Sequence, residues 1–141
     1  MIRKAICLSV LLLAALAGSV SAGTYSGGDG QPENPYRIAT PNDLNDIGSH
    51  PEDFNDCFIL VNDINIAGLA YTTALIAPDI SSSGGFQGTA FTGIFDGNDC
   101  NISNLTIDTA GAGNDYLGLF GYVGETGEVK NLGIEDVNIT G

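Results

Sequence analysis

Positive charge is almost missing from this 141-residue chain. Four Lys and Arg stand against 17 Asp and Glu, a formal net charge of −13 at pH 7. Two of the four cations, Arg3 and Lys4, sit at the extreme N-terminus, so that beyond it only Arg37 and Lys130 remain. Nucleic acid and anionic membrane surfaces are held by clustered Lys and Arg, and the composition excludes both as partners. The acidic surface reads as a solvating one, with calcium-dependent folding or adhesion as the other reading. Histidine is nearly absent too. His50 alone would have to serve any Ser–His–Asp arrangement, and its Gly48-Ser49-His50-Pro51 setting is that of a surface loop. Carboxylates are plentiful, so counting does not exclude a glycosidase or lyase. Neither Arg37 nor Lys130 adjoins an Asp cluster, however, to neutralise an acidic sugar or take its proton. The Gly-rich stretches lack the Gly-Lys-Ser/Thr ending of a phosphate loop. The expectation is a protein that is not an enzyme.

Long apolar runs are lacking except at the start. Arg3 and Lys4 precede an apolar run from Ala5 to Ala17, and Val20-Ser21-Ala22 supplies small residues where a signal peptidase reads. That is the tripartite pattern of a secretory signal, its apolar core too short to span a bilayer stably. Residues 1–22 are therefore expected to be a cleaved signal peptide, the alternative being an uncleaved anchor. The product would be secreted or held at the cell surface, without membrane insertion after cleavage.

Cysteine is scarce: Cys57 and Cys100 are the two beyond the signal. An even pair in an exported protein reads as a disulfide. Closing that loop would stabilise by about 3–4 kcal/mol in the chain-entropy picture. Zinc is a poor alternative, because only His50 could join them and its spacing fits no zinc pattern.

Residues 23–56 read as a Gly-, Ser- and Pro-rich lead-in followed by a short helix. Thr40 is the capping hydroxyl, Pro41 the first helical residue, and Asp43 suits the positive N-terminus. Leu44 and Ile47 share one face and Gly48 ends the helix. Residues 57–141 read as strands and turns: Cys57 to Val61, Asp63 to Ile66, Phe91 to Phe95, then Ile102, Leu105 and Ile107, and further short apolar stretches to Ile139. Asn104-Leu105-Thr106-Ile107 matches Asn131-Leu132-Gly133-Ile134, and a period in the twenties with frequent Gly and Asn suggests a β-solenoid. Its inward residues would be Ile102, Leu105, Ile107, Leu119, Val129, Leu132 and Ile134. An antiparallel sandwich is the rival.

Asp96, Asn98 and Asp99 crowd one turn with oxygen atoms and form a weak calcium candidate, although Asp-Gly-Asn is equally the chemistry of a plain tight turn. No other cofactor is indicated. Asn101, Asn104 and Asn138 each begin an Asn-x-Ser/Thr triplet and read as corner-capping asparagines rather than glycan acceptors.

Several segments in order resemble bacterial GLUG-motif surface proteins. Asn34-Pro35-Tyr36-Arg37-Ile38 with Thr40 and Asp43-Leu44 resembles their opening, and Phe58 to Ile66 their second element. Phe91 to Asn98 with Ile102 to Ile107 resembles the third, and Gly118-Leu119-Phe120-Gly121 followed by Lys130 to Ile134 resembles the repeat that names the family. The resemblance covers roughly residues 27–141. It implies an all-β, right-handed parallel β-helix with a short N-terminal capping helix, of a kind found in adhesin-like proteins and alongside IgA-specific metallopeptidases. It carries over no catalytic residue, and the His-Glu-x-x-His zinc signature of those peptidases is absent. Only one such repeat is present, and the chain stops where another coil should begin. The functional expectation is a non-catalytic adhesive or structural module meeting a surface protein or glycan. The alternatives are an accessory region of a larger exported enzyme such as a metallopeptidase, or a carbohydrate-binding β-helix, for which Tyr116 and Tyr122 are the aromatic candidates.

Overall fold

The computed structural model describes residues 22–81, 83–112 and 115–141. The expected signal sequence thus lies almost wholly outside the described residues.

The order of elements is β1 (Tyr36–Ile38), α1 (Pro41–Ser49), a 3₁₀ turn at Pro51–Asp53, β2 (Cys57–Leu60), β3 (Ile64–Asn65), β4 (Ile94–Asp96), β5 (Asn101–Ser103), β6 (Thr106–Asp108), β7 (Glu128–Lys130), β8 (Gly133–Glu135) and β9 (Asn138–Thr140). All pairings between these strands are parallel. They build a four-stranded sheet ordered β1-β2-β4-β7, a three-stranded sheet β3-β5-β8 and a pair β6-β9. An antiparallel sandwich is thereby ruled out.

The closed right-handed β-helix is not formed either. Strands of two to four residues make three small sheets that do not join into a continuous solenoid. The reason lies between β3 and β4. Its described residues contribute no strand, and its ladder pairing with the rest is limited to isolated bridges, Tyr71↔Ile107, Ile76↔Phe120 and Phe91↔Val123. It is rich in Gly, Ser, Thr and Pro, which favour turns over ladders.

The 27-residue match does not mark the stacking period. Phe95 pairs with Val129 and Ile102 with Ile134, and side-chain hydrogen bonds between successive layers join residues 34 to 39 apart. Asn104 turns the corner from β5 to β6, whereas Asn131 turns that from β7 to β8. Both adopt left-handed backbone, with φ of 64° and 52°. The matched sequences are the same corner chemistry used at two different corners.

Helix α1 follows its sequence closely at the start. The Thr40 side chain accepts from the Asp43 backbone N–H, and the Asp43 carboxylate accepts from the Thr40 N–H, a reciprocal capping box. Leu44 and Ile47 are fully buried against the sheet core. Gly48 does not end the helix but lies within it. A Cβ there would collide with the Leu75 carbonyl, so the glycine permits close approach rather than termination.

The core runs from Ile38 and Leu44 through Phe58, Leu60 and Ile64 to Phe91, Phe95, Ile102, Leu105, Ile107 and Leu119. Phe58 and Phe91 have ring centroids 6.0 Å apart, and Phe91 and Phe120 5.1 Å. Burying side chains of this size stabilises by about 1.5–3 kcal/mol each.

Candidate interaction surfaces

Not every expected core residue is inside. Ile102, Leu105, Ile107 and Leu119 are buried and Leu132 is partly covered, but Val129 and Ile134 are 39% and 42% exposed. Strand position explains the difference. β7, β8 and β9 each stand last in their sheet. Val129, Ile134 and Ile139 lie in register with the buried Phe95, Ile102 and Ile107, and among the described residues no further strand covers them in turn. The outcome is an apolar end face, with Val137 also exposed beside it.

A second surface is aromatic. Phe86 stacks on Tyr122 with centroids 4.8 Å apart and planes 19° from parallel, and Tyr116 stands edge-on to Phe86 at 5.4 Å. Tyr116 and Tyr122 are 37% and 42% exposed. Sequence reasoning named the two tyrosines but missed Phe86, which reaches them from a glycine-rich loop far away in the chain. Tyr116 has a φ of 57°, an uncommon conformation for a bulky residue. A half-open recess of about 370 Å³ lies elsewhere, lined by Pro51, Phe54, Pro78, Ile80 and Gln87 among others. Its lining includes no acid, base or thiol.

Asp96, Asn98 and Asp99 do occupy one turn, between β4 and β5. Asp96 Oδ1 already accepts from the Asn98 backbone N–H at 2.8 Å and from Asn131 Nδ2 at 3.0 Å. Asn98 Nδ2 donates to the Leu60 carbonyl at 3.2 Å. These bonds, the Asn98 N–H first, hold the Asp96 carboxyl below its ordinary pKa. Among the described residues no group of three or more His, Cys, Asp or Glu is placed to hold a metal ion.

The Cys57–Cys100 disulfide is not formed; both thiols are free. Cys57 lies in β2 of the four-stranded sheet, in register with Ile94, and Cys100 lies beyond the following turn, just before β5 of another sheet. The Cys100 thiol instead donates to the Asn98 carbonyl at 3.6 Å. Burial, with help from Asp56, raises the Cys57 thiol pKa. His50 pairs with Glu52 across 2.9 Å. Lys130 lies 3.4 Å from Glu128 on its own strand, with both side chains largely exposed.

Sequence reasoning also missed an acidic clamp. Asp43 Oδ2 accepts from Ser26 Oγ and from the Ala39 and Thr40 backbone N–H groups. Asp53 Oδ2 accepts from Tyr25 Oη at 2.8 Å and the Gly23 N–H at 2.9 Å, and Asp46 Oδ2 from Thr24. Burial and the Asp53 bond raise the Tyr25 phenol well above its ordinary value. Three carboxylates thus fasten the lead-in chain to the helical segment. The signal was legible only as an excess of Asp there.

The chain is 32% identical over 130 residues to Halomucin of Haloquadratum walsbyi. It is 32% identical over 128 residues to a protein of Evansella cellulosilytica whose name describes it as a Gly-rich membrane protein. No family model and no solved structure matches. The two alignments take in 88% and 87% of this chain but only 1% and 13% of those proteins, so the chain spans a small fraction of the relatives it resembles.

Proposed function

We propose that this chain is a non-catalytic adhesive or structural module of a surface or membrane-associated protein. The observation that carries the reading is the similarity of nearly the whole chain to short stretches of two much longer proteins, one of them named for the membrane. The acidic composition, the lack of clustered cations and the exposed apolar and aromatic surfaces agree with binding rather than turnover. The ordered likeness to GLUG-motif surface proteins points the same way. No helix among the described residues is long and apolar enough to cross a membrane, so attachment would come from elsewhere. An epitope-tagged chain expressed in its own cell should fractionate with the envelope or the medium and be cut by protease added to intact cells. Retention inside, protected from that protease, refutes the reading.

A carbohydrate-binding role is the second reading, favoured by the exposed Tyr116 and Tyr122, which Phe86 backs from its loop. Aromatic faces of this kind pack against the apolar face of sugar rings. Glycan-array binding lost in both Tyr116→Ala and Tyr122→Ala supports it, and an array without binding removes it.

A further inference from the structure

Gly23 directly follows the Val20-Ser21-Ala22 triplet at which signal cleavage is expected. Its backbone nitrogen lies 2.9 Å from Asp53 Oδ2, which also accepts from Tyr25 Oη at 2.8 Å. The next residue repeats the arrangement. Thr24 donates to Asp46 Oδ2 from its N–H at 2.7 Å and from Oγ1 at 2.9 Å. The first residues after the expected cut are thus met by two carboxylates, Asp46 of α1 and Asp53 of the 3₁₀ turn.

Asp53 is set apart by burial. It is 4% exposed, and the donors on its Oδ2 in the uncut chain, an amide and a phenol, are both neutral. Among the described residues the ion pairs are His50–Glu52 and Lys130–Glu128, and neither involves Asp53. Buried charges in folded proteins are ordinarily paired. The space around Gly23 is equally restrictive. A Cβ there would fall 2.5 Å from Tyr25 Cζ and Oη. Tyr25 has little room to step aside, because its ring packs against Tyr36 at 4.5 Å and Phe58 at 5.6 Å. Glycine is the residue that brings this nitrogen onto Asp53 with Tyr25 still in place.

We propose that the Ala22–Gly23 peptide bond is cut and that the new α-ammonium of Gly23 forms an ion pair with the Asp53 carboxylate. Water is the co-reactant: hydrolysis leaves a carboxylate on Ala22 and an amine on Gly23, which takes up a proton. The nitrogen that donates as a neutral amide in the uncut chain then donates as a cation, and such charge-assisted bonds are about twice as strong as neutral ones. The lead-in chain is therefore fastened fully only once the preceding segment is gone, which couples completion of the fold to processing. The inference rests on the export part of the proposed function and on no adhesive or glycan contact.

The full chain, expressed in its own cell and recovered from the envelope or medium, tests the proposal. N-terminal sequencing should begin at Gly23. The processed protein then holds two amines, the Gly23 α-amine and Lys130 Nζ, so acylation at neutral pH has an internal reference. An amine held protonated on a carboxylate reacts slowly, and the Gly23 amine should label roughly tenfold more slowly, relative to Lys130, in the folded protein than in urea. Asp53→Asn keeps the shape and removes the charge. Labelling of the Gly23 amine should rise roughly tenfold in that variant, with Lys130 and circular dichroism unchanged. A different N-terminus overturns the proposal. So does a Gly23 amine equally reactive folded and in urea, a comparison that needs no variant to fold, or one indifferent to Asp53→Asn. Processing at Gly23 with a freely reactive amine refutes the ion pair and leaves export standing.

Discussion

Asn131 Nδ2 donates to Asp96 Oδ1 at 3.0 Å, across 35 residues of sequence, and the same oxygen accepts from the Asn98 backbone N–H at 2.8 Å. One carboxylate oxygen thus closes the β4–β5 turn and ties it to the corner of the next layer.

Asp96→Ala should cost about 1–2 kcal/mol in urea denaturation, because two hydrogen bonds worth about 1 kcal/mol each are lost. Asp96→Asn keeps an acceptor and should cost less. The Asp96 pKa is depressed in the folded state. Its contribution is therefore present above the ordinary carboxylate range and lost as pH falls through the lowered value. An acid titration of stability should lose part of its slope in Asp96→Asn, and an unchanged slope would count against this role.

Core and end face should respond differently to truncation. Leu105 is buried, and Leu105→Ala should cost about 2–5 kcal/mol through lost burial and a cavity. Ile134 removes the same kind of side chain from an exposed site, and Ile134→Ala should cost under about 1 kcal/mol in dilute solution. Equal losses by thermal or chemical denaturation would mean that Ile134 is covered.

The corner asparagines test backbone conformation directly. Asn104 holds a φ of 64° and donates from Nδ2 to Asn65 Oδ1 at 2.9 Å. Asn104→Gly should lose little beyond that bond. Asn104→Val forces a β-branched residue into the left-handed region and should cost a further 1–2 kcal/mol, roughly, on a melting curve.

These corners also show how far the sequence was legible. The helix cap could be read from Thr40, Pro41 and Asp43, because capping is local chemistry. Strand tendency at Cys57 to Leu60 and at Ile102 was equally local. Which layer pairs with which was not local. Asn104 and Asn131 look alike because both occupy left-handed corners, and that likeness suggested a false period. The weak pairing of residues 66–93 and the exposure of Val129 and Ile134 depend on which strand lies next door. The Phe86 contact to Tyr122 depends on a loop meeting a distant segment, and no spacing announces it.

His50 supplies a pH prediction near neutrality. The hydrogen bond that His50 Nδ1 donates to Glu52 Oε1 raises the His50 pKa in the folded state and lowers that of Glu52. The stabilisation is complete below the ordinary histidine range and fades as pH rises through the raised value. Melting temperature should fall slightly across that window. Glu52→Gln should flatten the fall, and an identical fall in the variant would remove the pair as its cause.

The free thiols are countable. Without reductant, the intact mass should carry no loss of two hydrogens from Cys57 and Cys100, and both should take an alkylating reagent after unfolding. Native labelling of Cys57 should be slow, because burial raises its pKa and the thiolate is the reactive form. A mass two hydrogens short would restore the disulfide.

The register of the parallel sheets underlies both the layered core and the exposure of Val129 and Ile134. Cross-strand nuclear Overhauser contacts in the isotope-labelled protein measure it directly. Backbone contacts between Ile102 and Ile134 and between Ile107 and Ile139, in the parallel pattern, are the predicted result. Contacts following the 27-residue match, with Leu105 in register with Leu132, or an antiparallel pattern within the chain, would contradict it.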